Sequence, residues 1–299
     1  MTNEFAIPTA NSGPWTIMSA PNGYLYFTEQ AANKIGQVTT GGVMTEIPTP
    51  TSAAGPMQII MGPDGHVWYT EAAAGQMGTF SVFNATNFSE YKIPWAGATP
   101  VSIAVGSPTN SMYFIDSSNN AIGRVMTDGT FSGPYAIPTA NSGPQYLVTG
   151  PDLNIWFTEY NAGKIGHFNV ATNTVDTEYT LPAGAKPDTI IAGQDGALWF
   201  TDDNPAAPAL GRITTSGLIT EYPLTGAKSA VGLVQDVQNN LDITDSVNSA
   251  IGVFNPTTKT FTEYPTKTAS ADPLWITLGP DRLLYFTENA ANKIGQFDY

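Results

Sequence analysis

Short apolar runs alternate with turn residues along the whole chain, and one arrangement of them recurs. In the first copy, residues 13–18 precede a Pro-Asn-Gly turn at residues 21–23, and an aromatic run follows at residues 24–29. Two apolar runs around such a turn predict a β-hairpin. Two further short runs, at residues 35–38 and 45–48, complete the copy. Each copy therefore predicts four short antiparallel strands.

The copies follow one another at a nearly constant interval. Each predicted second strand ends on an acidic residue, and the seven acids are Glu29, Glu71, Asp116, Glu159, Asp202, Asp245 and Glu288. Four strands in about 43 residues is the size of a β-propeller blade. The sequence therefore predicts an all-β protein, a seven-bladed β-propeller with four antiparallel strands per blade, in which residues 1–299 form a single domain.

The two ends of the chain predict how the ring closes. The last copy stops after its third strand, at residues 294–297, whereas residues 3–8 resemble the fourth strand of another copy at residues 262–265. We expect the N-terminal strand to complete the last blade, because this pairing removes a free sheet edge.

Hairpin geometry predicts where the acids lie. If the first turn is centred on Asn22, then Trp15 on the innermost strand lies opposite Glu29. Innermost strands line the central channel of a propeller, so we expect the acids and the residues opposite them around one channel mouth. The residues opposite the acids differ from copy to copy: Trp15, Met57, Val101, Gln145, Asp188, Val231 and Leu274. Changing residues on a constant scaffold are typical of a ligand site.

The acids themselves have two interpretations. A residue present in every copy more often supports the blade, here by accepting hydrogen bonds from backbone N–H groups. Seven like charges at one mouth would nevertheless be unfavourable unless some are paired, some have raised pKa values, or a cation lies among them. Copy six also departs from the pattern, since Asp242 replaces an aromatic residue that we expect in the core; local repacking is our interpretation.

The composition of the chain limits the classes of molecule that it can bind. The 299 residues include 25 acidic and 11 basic side chains, a formal net charge of −14. This charge disfavours nucleic acid and anionic membrane surfaces, which need a basic footprint. No apolar run reaches the length of a spanning helix, and no signal segment opens the chain. We expect a soluble protein, a monomer, with its compartment open and secretion of a mature form among the alternatives.

Few classical catalytic groups are present. The chain has no cysteine, which excludes thiol nucleophiles and thiolate metal sites. Its two histidines, His66 and His167, lie outside the variable set, which disfavours a Ser-His-Asp relay and a multi-histidine zinc site. No nucleotide-binding fingerprint occurs, and we expect neither a nucleotide nor a haem cofactor.

A recurring phrase carries a family resemblance. Gly-Pro, a Trp/Tyr-Phe-Thr-Glu strand end and Lys-Ile-Gly, the last at residues 34–36, 164–166 and 293–295, recur in register. Over its full length the chain resembles the streptogramin lyase family, virginiamycin B lyase and its relatives. The resemblance implies a seven-bladed propeller in which a magnesium ion and a histidine base open a cyclic depsipeptide by elimination.

Carried to this chain, the resemblance implies a changed site. The carboxylates that the resemblance places beside the metal correspond to Asp272 and Glu288, which would then hold Mg²⁺. Its two histidines fall on Val231 and Leu274, and neither aliphatic side chain can accept a proton. Because an elimination needs a positioned base, we do not expect streptogramins to be the substrate.

These observations favour a small-molecule enzyme of the lyase or isomerase type at the channel mouth. It would catalyse an elimination, or a pericyclic or cyclisation step helped by holding a reactive conformer. Candidate catalytic residues are Glu288, Asp272 and Asp188, and Lys186 is a possible cationic neighbour. The residues expected to contact the ligand are Trp15, Met57, Gln145, Tyr146, Val231, Leu274 and Trp275. The alternative is a non-catalytic propeller that binds a glycan or a metabolite.

Overall fold

The computed structural model describes residues 3–106 and 110–298. These residues form seven four-stranded antiparallel sheets, each of which is one blade of a β-propeller. The predicted fold class is confirmed. Within the described ranges the chain is all-β, so none of its elements is a helix that could cross a membrane.

The blades are numbered in chain order from the first complete copy. Blade 1 comprises β2 (Pro14–Ser19), β3 (Leu25–Glu29), β4 (Lys34–Val38) and β5 (Met44–Pro48); blade 2, β6 (Pro56–Met61), β7 (His66–Glu71), β8 (Gln76–Ser81) and β9 (Asn84–Lys92); blade 3, β10 (Pro100–Val105), β11 (Ser111–Asp116), β12 (Ala121–Met126) and β13 (Phe131–Ala136). Blade 4 comprises β14 (Pro144–Thr149), β15 (Ile155–Glu159), β16 (Lys164–Asn169) and β17 (Thr174–Thr180); blade 5, β18 (Pro187–Ala192), β19 (Leu198–Asp202), β20 (Ala209–Ile213) and β21 (Ile219–Pro223). Blade 6 comprises β22 (Leu233–Gln235), β23 (Leu241–Asp245), β24 (Ala250–Asn255) and β25 (Thr260–Pro265); blade 7, β26 (Pro273–Leu278), β27 (Leu284–Glu288), β28 (Lys293–Phe297) and β1 (Asn3–Ala6).

The first strand of the chain closes the ring, as predicted. β1 pairs antiparallel with β28, from Asn3 opposite Gln296 to Ala6 opposite Lys293. Glu4 reinforces this closure, because its carboxylate accepts a hydrogen bond from Lys293 Nζ at 2.8 Å. The two ends of the chain therefore lie in one sheet.

The Lys-Ile-Gly phrase is explained by packing inside the blade. In blade 4 the ring of Phe157 covers Gly166, so closely that a Cβ atom on Gly166 would lie 2.0 Å from Cζ of the ring. The same glycine and ring face each other in blades 1, 2, 3, 5 and 7. The glycine recurs because no side chain fits beneath the ring.

The second-strand aromatic residues are buried, and a turn residue bonds several of them. Trp156 is fully buried, and its indole N–H donates to Asp152 of the preceding turn at 3.0 Å. Asp242 takes this position in blade 6 and is also fully buried. There the turn is held differently, because Asp236 accepts hydrogen bonds from the backbone N–H groups of Gln238 and Asn240.

Candidate functional site

Six of the seven inner strands begin with a β-bulge that positions the variable residue. In blade 1, Pro14 pairs with Glu29 and Ile17 pairs with Phe27, so Trp15 and Thr16 together lie opposite a single residue of β3. Equivalent register shifts occur in blades 2, 3, 4, 5 and 7. The predicted pairing of Trp15 with Glu29 is wrong by one residue, because hairpin geometry without a bulge cannot anticipate the extra residue.

A threonine of the second strand holds the start of the inner strand in place in every blade except blade 3, where Ile115 stands at this position. In blade 1, Thr28 Oγ1 accepts a hydrogen bond from the Thr16 N–H at 3.1 Å and donates to the Met57 carbonyl of the next blade at 2.6 Å. The same hydrogen bond, from a threonine hydroxyl to a backbone carbonyl of the next blade, links Thr158 to Asp188, Thr201 to Val231, Thr244 to Leu274 and Thr287 to Trp15. These bonds use only the backbone of the variable residue, so its side chain is free to change.

All seven variable residues line one cavity at the channel mouth. The cavity has a volume of about 410 Å³. Its lining comprises Trp15, Thr16, Met57, Gln58, Val101, Gln145, Tyr146, Tyr160, Asp188, Val231, Leu274 and Trp275. The structure thus brings together Asp188 and every residue that the sequence proposed as a ligand contact; their roles remain predictions.

Sequence reasoning did not name Gln58 or Tyr160 as site residues. Gln58 follows a variable residue, as Tyr146 and Trp275 do, and the identity of this following position also changes from copy to copy. Tyr160 directly follows Glu159, at another position that varies between copies. Variation at these two positions is the signal that could have identified both residues.

Three side chains from different blades separate this cavity from the rest of the channel. Gln58 Nε2 donates to the Tyr146 hydroxyl at 2.8 Å, and the Tyr146 ring lies 4.9 Å from that of Trp275 between centroids. Gln58 is itself held by the Ile103 N–H, which donates to its Oε1 at 2.6 Å. The same three side chains also line a second cavity of about 320 Å³ further along the channel. They form a partition, and a ligand reaches the first cavity from the mouth.

Among the described residues that line the cavity, Asp188 is the one carboxylic acid. The residue is half-buried, and part of it is accessible from the cavity. Burial, with a smaller contribution from the charge of Asp203, raises the pKa of Asp188 to about 7. A carboxyl group with a pKa near 7 can accept and return a proton at neutral pH.

Tyr160 and Lys186 lie beside Asp188 at the rim. Burial and the charges of Asp203, Asp188 and Asp202 raise the pKa of Tyr160. The Lys186 ammonium group lies 5.2 Å from the centroid of the Tyr160 ring. Lys186 therefore packs against the tyrosine face rather than forming an ion pair with Asp188.

The seven repeated acids do not line the cavity. Each is buried inside its blade, with an exposed fraction of 3% or less. The expectation that they surround the mouth is wrong. In six blades the bulge places the acid opposite the proline that precedes the variable residue. Asp116, Asp202 and Asp245 accept hydrogen bonds from loop N–H groups, those of Thr99, Lys186 and Lys228.

In blade 1 the acid forms a carboxyl pair with the fourth strand. Burial, followed by a hydrogen bond and the negative charge of Glu46, raises the pKa of Glu29 to about 8. Partial burial alone would raise the pKa of Glu46, but hydrogen bonds from Thr9 lower it. The raised pKa favours the protonated form of Glu29 and the lowered pKa favours the ionised form of Glu46. A proton shared between the two carboxyl groups would give one of the two unpartnered Glu29 oxygens a hydrogen bond.

The same pair recurs in other blades. Burial and the charge of Glu178 raise the pKa of Glu159 to about 7. In blade 7, burial and the charge of Glu4 raise the pKa of Glu288 to about 8. Despite partial burial, hydrogen bonds from Lys293 and Thr268 lower the pKa of Glu4 to about 2. The surroundings of Glu288 are therefore those of an ordinary blade acid.

Asp272 lies in the loop before β26, and the structure does not pair it with Glu288. It is half-buried, and burial alone raises its pKa. Its φ of 54° is in the left-handed region, where Gly13 and Gly143 stand in blades 1 and 4. Neither Asp272 nor Glu288 lines the cavity, so the geometry lends their predicted catalytic roles no support.

The predicted magnesium ligands do not form a built metal site. Glu288 is engaged with Glu4 and Lys293, and across residues 3–106 and 110–298 no three His, Cys, Asp or Glu side chains cluster in a way that could hold an ion. Magnesium binding by Asp272 and Glu288 stays a prediction, and no step of the chemistry below is assigned to the ion.

Neither histidine reaches the cavity. His167 lies between two carboxylates, with Nδ1 2.5 Å from Asp176 and Nε2 3.0 Å from Asp152. His66 lies beside Asp64 in the turn before β7. The positions at which the resemblance places histidines carry Val231 and Leu274, and both line the cavity.

Comparisons with known proteins agree with this architecture. The model of the virginiamycin B lyase family matches residues 1–139 and 105–299. Virginiamycin B lyase of Nocardia farcinica (strain IFM 10152) is 33% identical over 184 residues, which are 59% of this chain and 58% of that protein. The chain thus matches somewhat more than half the length of this curated relative.

Two solved structures are similar over nearly the whole chain. A streptogramin B lyase structure is 32% identical with a TM-score of 0.89, covering 98% of this chain and 96% of that one. A catalytically inactive histidine-to-alanine variant of virginiamycin B lyase from Staphylococcus aureus, crystallised with quinupristin, is 29% identical with a TM-score of 0.90, covering 98% and 97%.

Proposed function

The chain belongs to the virginiamycin B lyase family, and from this premise we propose that it is a small-molecule lyase or isomerase whose active site is the channel-mouth cavity. The observation that carries the proposal is Asp188, a carboxyl group with a pKa of about 7, raised by burial, inside a cavity with aromatic walls. Perturbed acids in concave sites are typical of proton-transfer catalysts.

The base must differ from that of the solved relative. Replacement of one histidine accompanies inactivity in the Staphylococcus aureus variant, whereas no histidine lines this cavity. Asp188 is the lining residue whose protonation changes near pH 7. We assign it the role of general base, and after proton removal the same carboxyl group returns the proton as a general acid.

The remaining lining residues bind and orient the ligand. Trp15 and Trp275 provide apolar surface, and the exposed Gln145 amide provides donors and an acceptor at the mouth. The Tyr146 hydroxyl accepts a hydrogen bond from Gln58. The hydroxyl proton of Tyr146 therefore remains available for a hydrogen bond to an oxygen of the ligand. The partition closes the cavity on the channel side. A reaction that needs no strong base, such as a cyclisation, would be accelerated here by holding the reactive conformer.

Turnover with an Asp188→Asn variant tests the proposal. Cyclic esters are incubated with the protein, and the isomeric open-chain unsaturated acids that an elimination forms are separated by liquid chromatography and identified by mass spectrometry. We expect turnover by the wild type and a loss of about a hundredfold in Asp188→Asn, the usual effect of removing a general base. Asp298→Asn, an exposed acid outside the cavity, serves as the matched control. Wild-type turnover in Asp188→Asn would refute the assigned base, and a panel left unchanged by the wild type would count against a lyase of this substrate class.

The second candidate function is ligand binding without catalysis. A groove of about 550 Å³ between blades 5 and 6 contains stacked rings of Trp199 and Tyr222, 5.7 Å apart. Lys259 lies 4.5 Å above the Tyr222 ring, and Arg212 lies 5.8 Å from that of Trp199. These cations occupy the ring faces that a sugar would need, so the groove supports a glycan binder less well than the cavity supports an enzyme.

A further inference from the structure

The carboxylate of Asp188 has no protein partner. Its backbone carbonyl is fixed by Thr158 at 2.7 Å, but within residues 3–106 and 110–298 no group donates a hydrogen bond to its side-chain oxygens. The side chain lines the cavity. An ionised carboxylate in a half-buried site gains from a hydrogen-bonded or positively charged partner, and a ligand in the cavity can supply one.

The protein surrounds Asp188 with further negative charge. Asp203 lies close enough to raise the pKa of Asp188, and Asp202 and Asp203 both raise that of Tyr160. Asp203 is itself held as a hydrogen-bond acceptor by the Ser229 hydroxyl at 2.8 Å. The ammonium group of Lys186 packs over Tyr160 instead of meeting Asp188. The potential on this side of the mouth therefore favours a cation.

The opposite walls suit the body of an organic cation. Trp15, Tyr146 and Trp275 line the cavity, with the last two rings 4.9 Å apart. Aromatic faces attract ammonium groups and also bury apolar surface. Met57, Val101, Val231 and Leu274 complete an apolar wall. A carboxylate facing aromatic and aliphatic walls is the arrangement that recognises amines.

We propose that the channel-mouth cavity binds a cationic small molecule, a protonated or quaternary amine with an apolar body, whose positive charge pairs with Asp188. This inference rests on the same cavity as the proposed function but not on catalysis. A bound cation favours the ionised form of Asp188. Cation binding therefore releases a proton near neutral pH and converts more of the protein to the form that can act as a base.

Three isosteric probes of different charge test the inference on the intact protein. Titration calorimetry at pH 7 compares 4-phenylbutylamine, 4-phenylbutanol and 4-phenylbutyrate. We expect the amine to bind about tenfold or more tightly than the carboxylate, because a charge-assisted hydrogen bond replaces a repulsion. Repeating the amine titration in two buffers with different ionisation enthalpies is expected to show release of part of one proton.

Two variants test whether Asp188 causes the preference for the amine over the carboxylate. In Asp188→Asn the preference for the amine over the carboxylate should fall to about threefold or less, since the pairing charge is gone. The exposed Asp298→Asn variant changes net charge equally and should retain the preference. The comparison of the three probes requires only wild-type protein, so the lack of any preference for the amine overturns the inference even if Asp188→Asn does not fold.

Each alternative outcome overturns the inference. These outcomes are equal binding of the three probes, tighter binding of the carboxylate, no binding of any probe at millimolar concentration, and a charge preference that survives in folded Asp188→Asn. Amine binding without turnover of any substrate would instead refute the proposed enzyme while leaving this inference intact. Turnover of a neutral substrate with no amine preference would do the reverse.

Discussion

Asp188 and Glu159 are carboxyl groups with the same pKa of about 7, yet their surroundings differ. Burial is the largest cause of the raised pKa in both. Glu159 is enclosed in its blade, where Glu178 can accept its proton. Asp188 faces a cavity, and no group among residues 3–106 and 110–298 forms a hydrogen bond with its carboxyl oxygens. A raised pKa therefore does not by itself identify a functional acid; access to a cavity and the lack of an internal partner do.

The repeated acids and the variable residues also differ in where their side chains lie. The repeated acids and the variable residues lie at the same end of each hairpin, one bulge apart. The repeated acids lie inside the blades, and the variable residues surround the cavity. Residues that recur in every blade hold the scaffold, and residues that differ form the site. Four predictions test this division, beginning with the largest expected effect.

Gly166→Ala should destabilise the protein by about 2 to 3 kcal/mol, the usual cost of overpacking a core. The added Cβ would lie 2.0 Å from the Phe157 ring, which is fully buried and has no room to move. Thermal unfolding measures the loss. Gly41→Ala is the control, because its Cβ would lie no closer than 3.8 Å to the Thr39 hydroxyl. Equal melting temperatures for the two variants would contradict the packing account of the Lys-Ile-Gly phrase.

Stability should fall as the pH rises from about 4.5 to about 8. Burial raises the pKa of Glu29 and Glu288 to about 8 and of Glu159 to about 7. The folded protein holds these protons where the unfolded chain, with the ordinary value of 4.5, has released them, so raising the pH favours unfolding. Below pH 4.5 the opposite shift of Glu4, whose pKa is lowered to about 2, makes acid destabilising.

Thermal unfolding followed by circular dichroism from pH 4 to pH 9 checks this pH dependence. We expect the highest melting temperature near pH 5 and a decline toward pH 8. A maximum at pH 7 to 8 would show that the blade acids are ionised in the folded protein, contrary to the proton-sharing pairs.

Tyr146→Phe should cost about 1 kcal/mol of stability, because the buried Gln58 amide loses its hydrogen-bond acceptor. The hydrogen bond measures 2.8 Å and joins blades 2 and 4 across the channel. Chemical denaturation measures the change, and Tyr24→Phe, at an exposed turn, is the comparison variant. No difference between the two would indicate that the partition is not held by this bond.

Glu288→Gln should have the smallest effect. If Glu288 is protonated at pH 7, as its pKa of about 8, raised by burial, implies, then a neutral amide of similar shape is a close substitute. Turnover and melting temperature should change as little as they do in Glu159→Gln. A loss of turnover in Glu288→Gln alone would restore the catalytic role that the family resemblance implies for this residue.

The fold was predictable because repetition amplifies a weak signal. One copy of four short apolar runs is ambiguous, but seven copies in register define blade size, blade number and the strand exchange that pairs β1 with β28. The residues that share the cavity were predictable for the same reason, since the variable positions occur at one place in each copy. Their roles remain predictions.

The functional contrast between carboxyl groups was not predictable from the repeat. Glu288 and Glu159 look alike in sequence and have the same surroundings in the structure, whereas the resemblance gave Glu288 a special role. In six blades a bulge shifted the pairing of the acid by one residue, and a bulge leaves no clear mark in the sequence. Gln58 and Tyr160 gained importance only through partners or neighbours far away in the chain.

The sequence by itself determined the blade, the number of blades, the closure of the ring and the set of residues that varies around it, because these follow from local hydrogen bonding and a repeated period. The tertiary structure decided which carboxyl groups share a proton and which faces a cavity. That decision depends on burial and on partners from other strands and other blades, such as Glu178 for Glu159 and Asp203 for Asp188, and no local pattern specifies them.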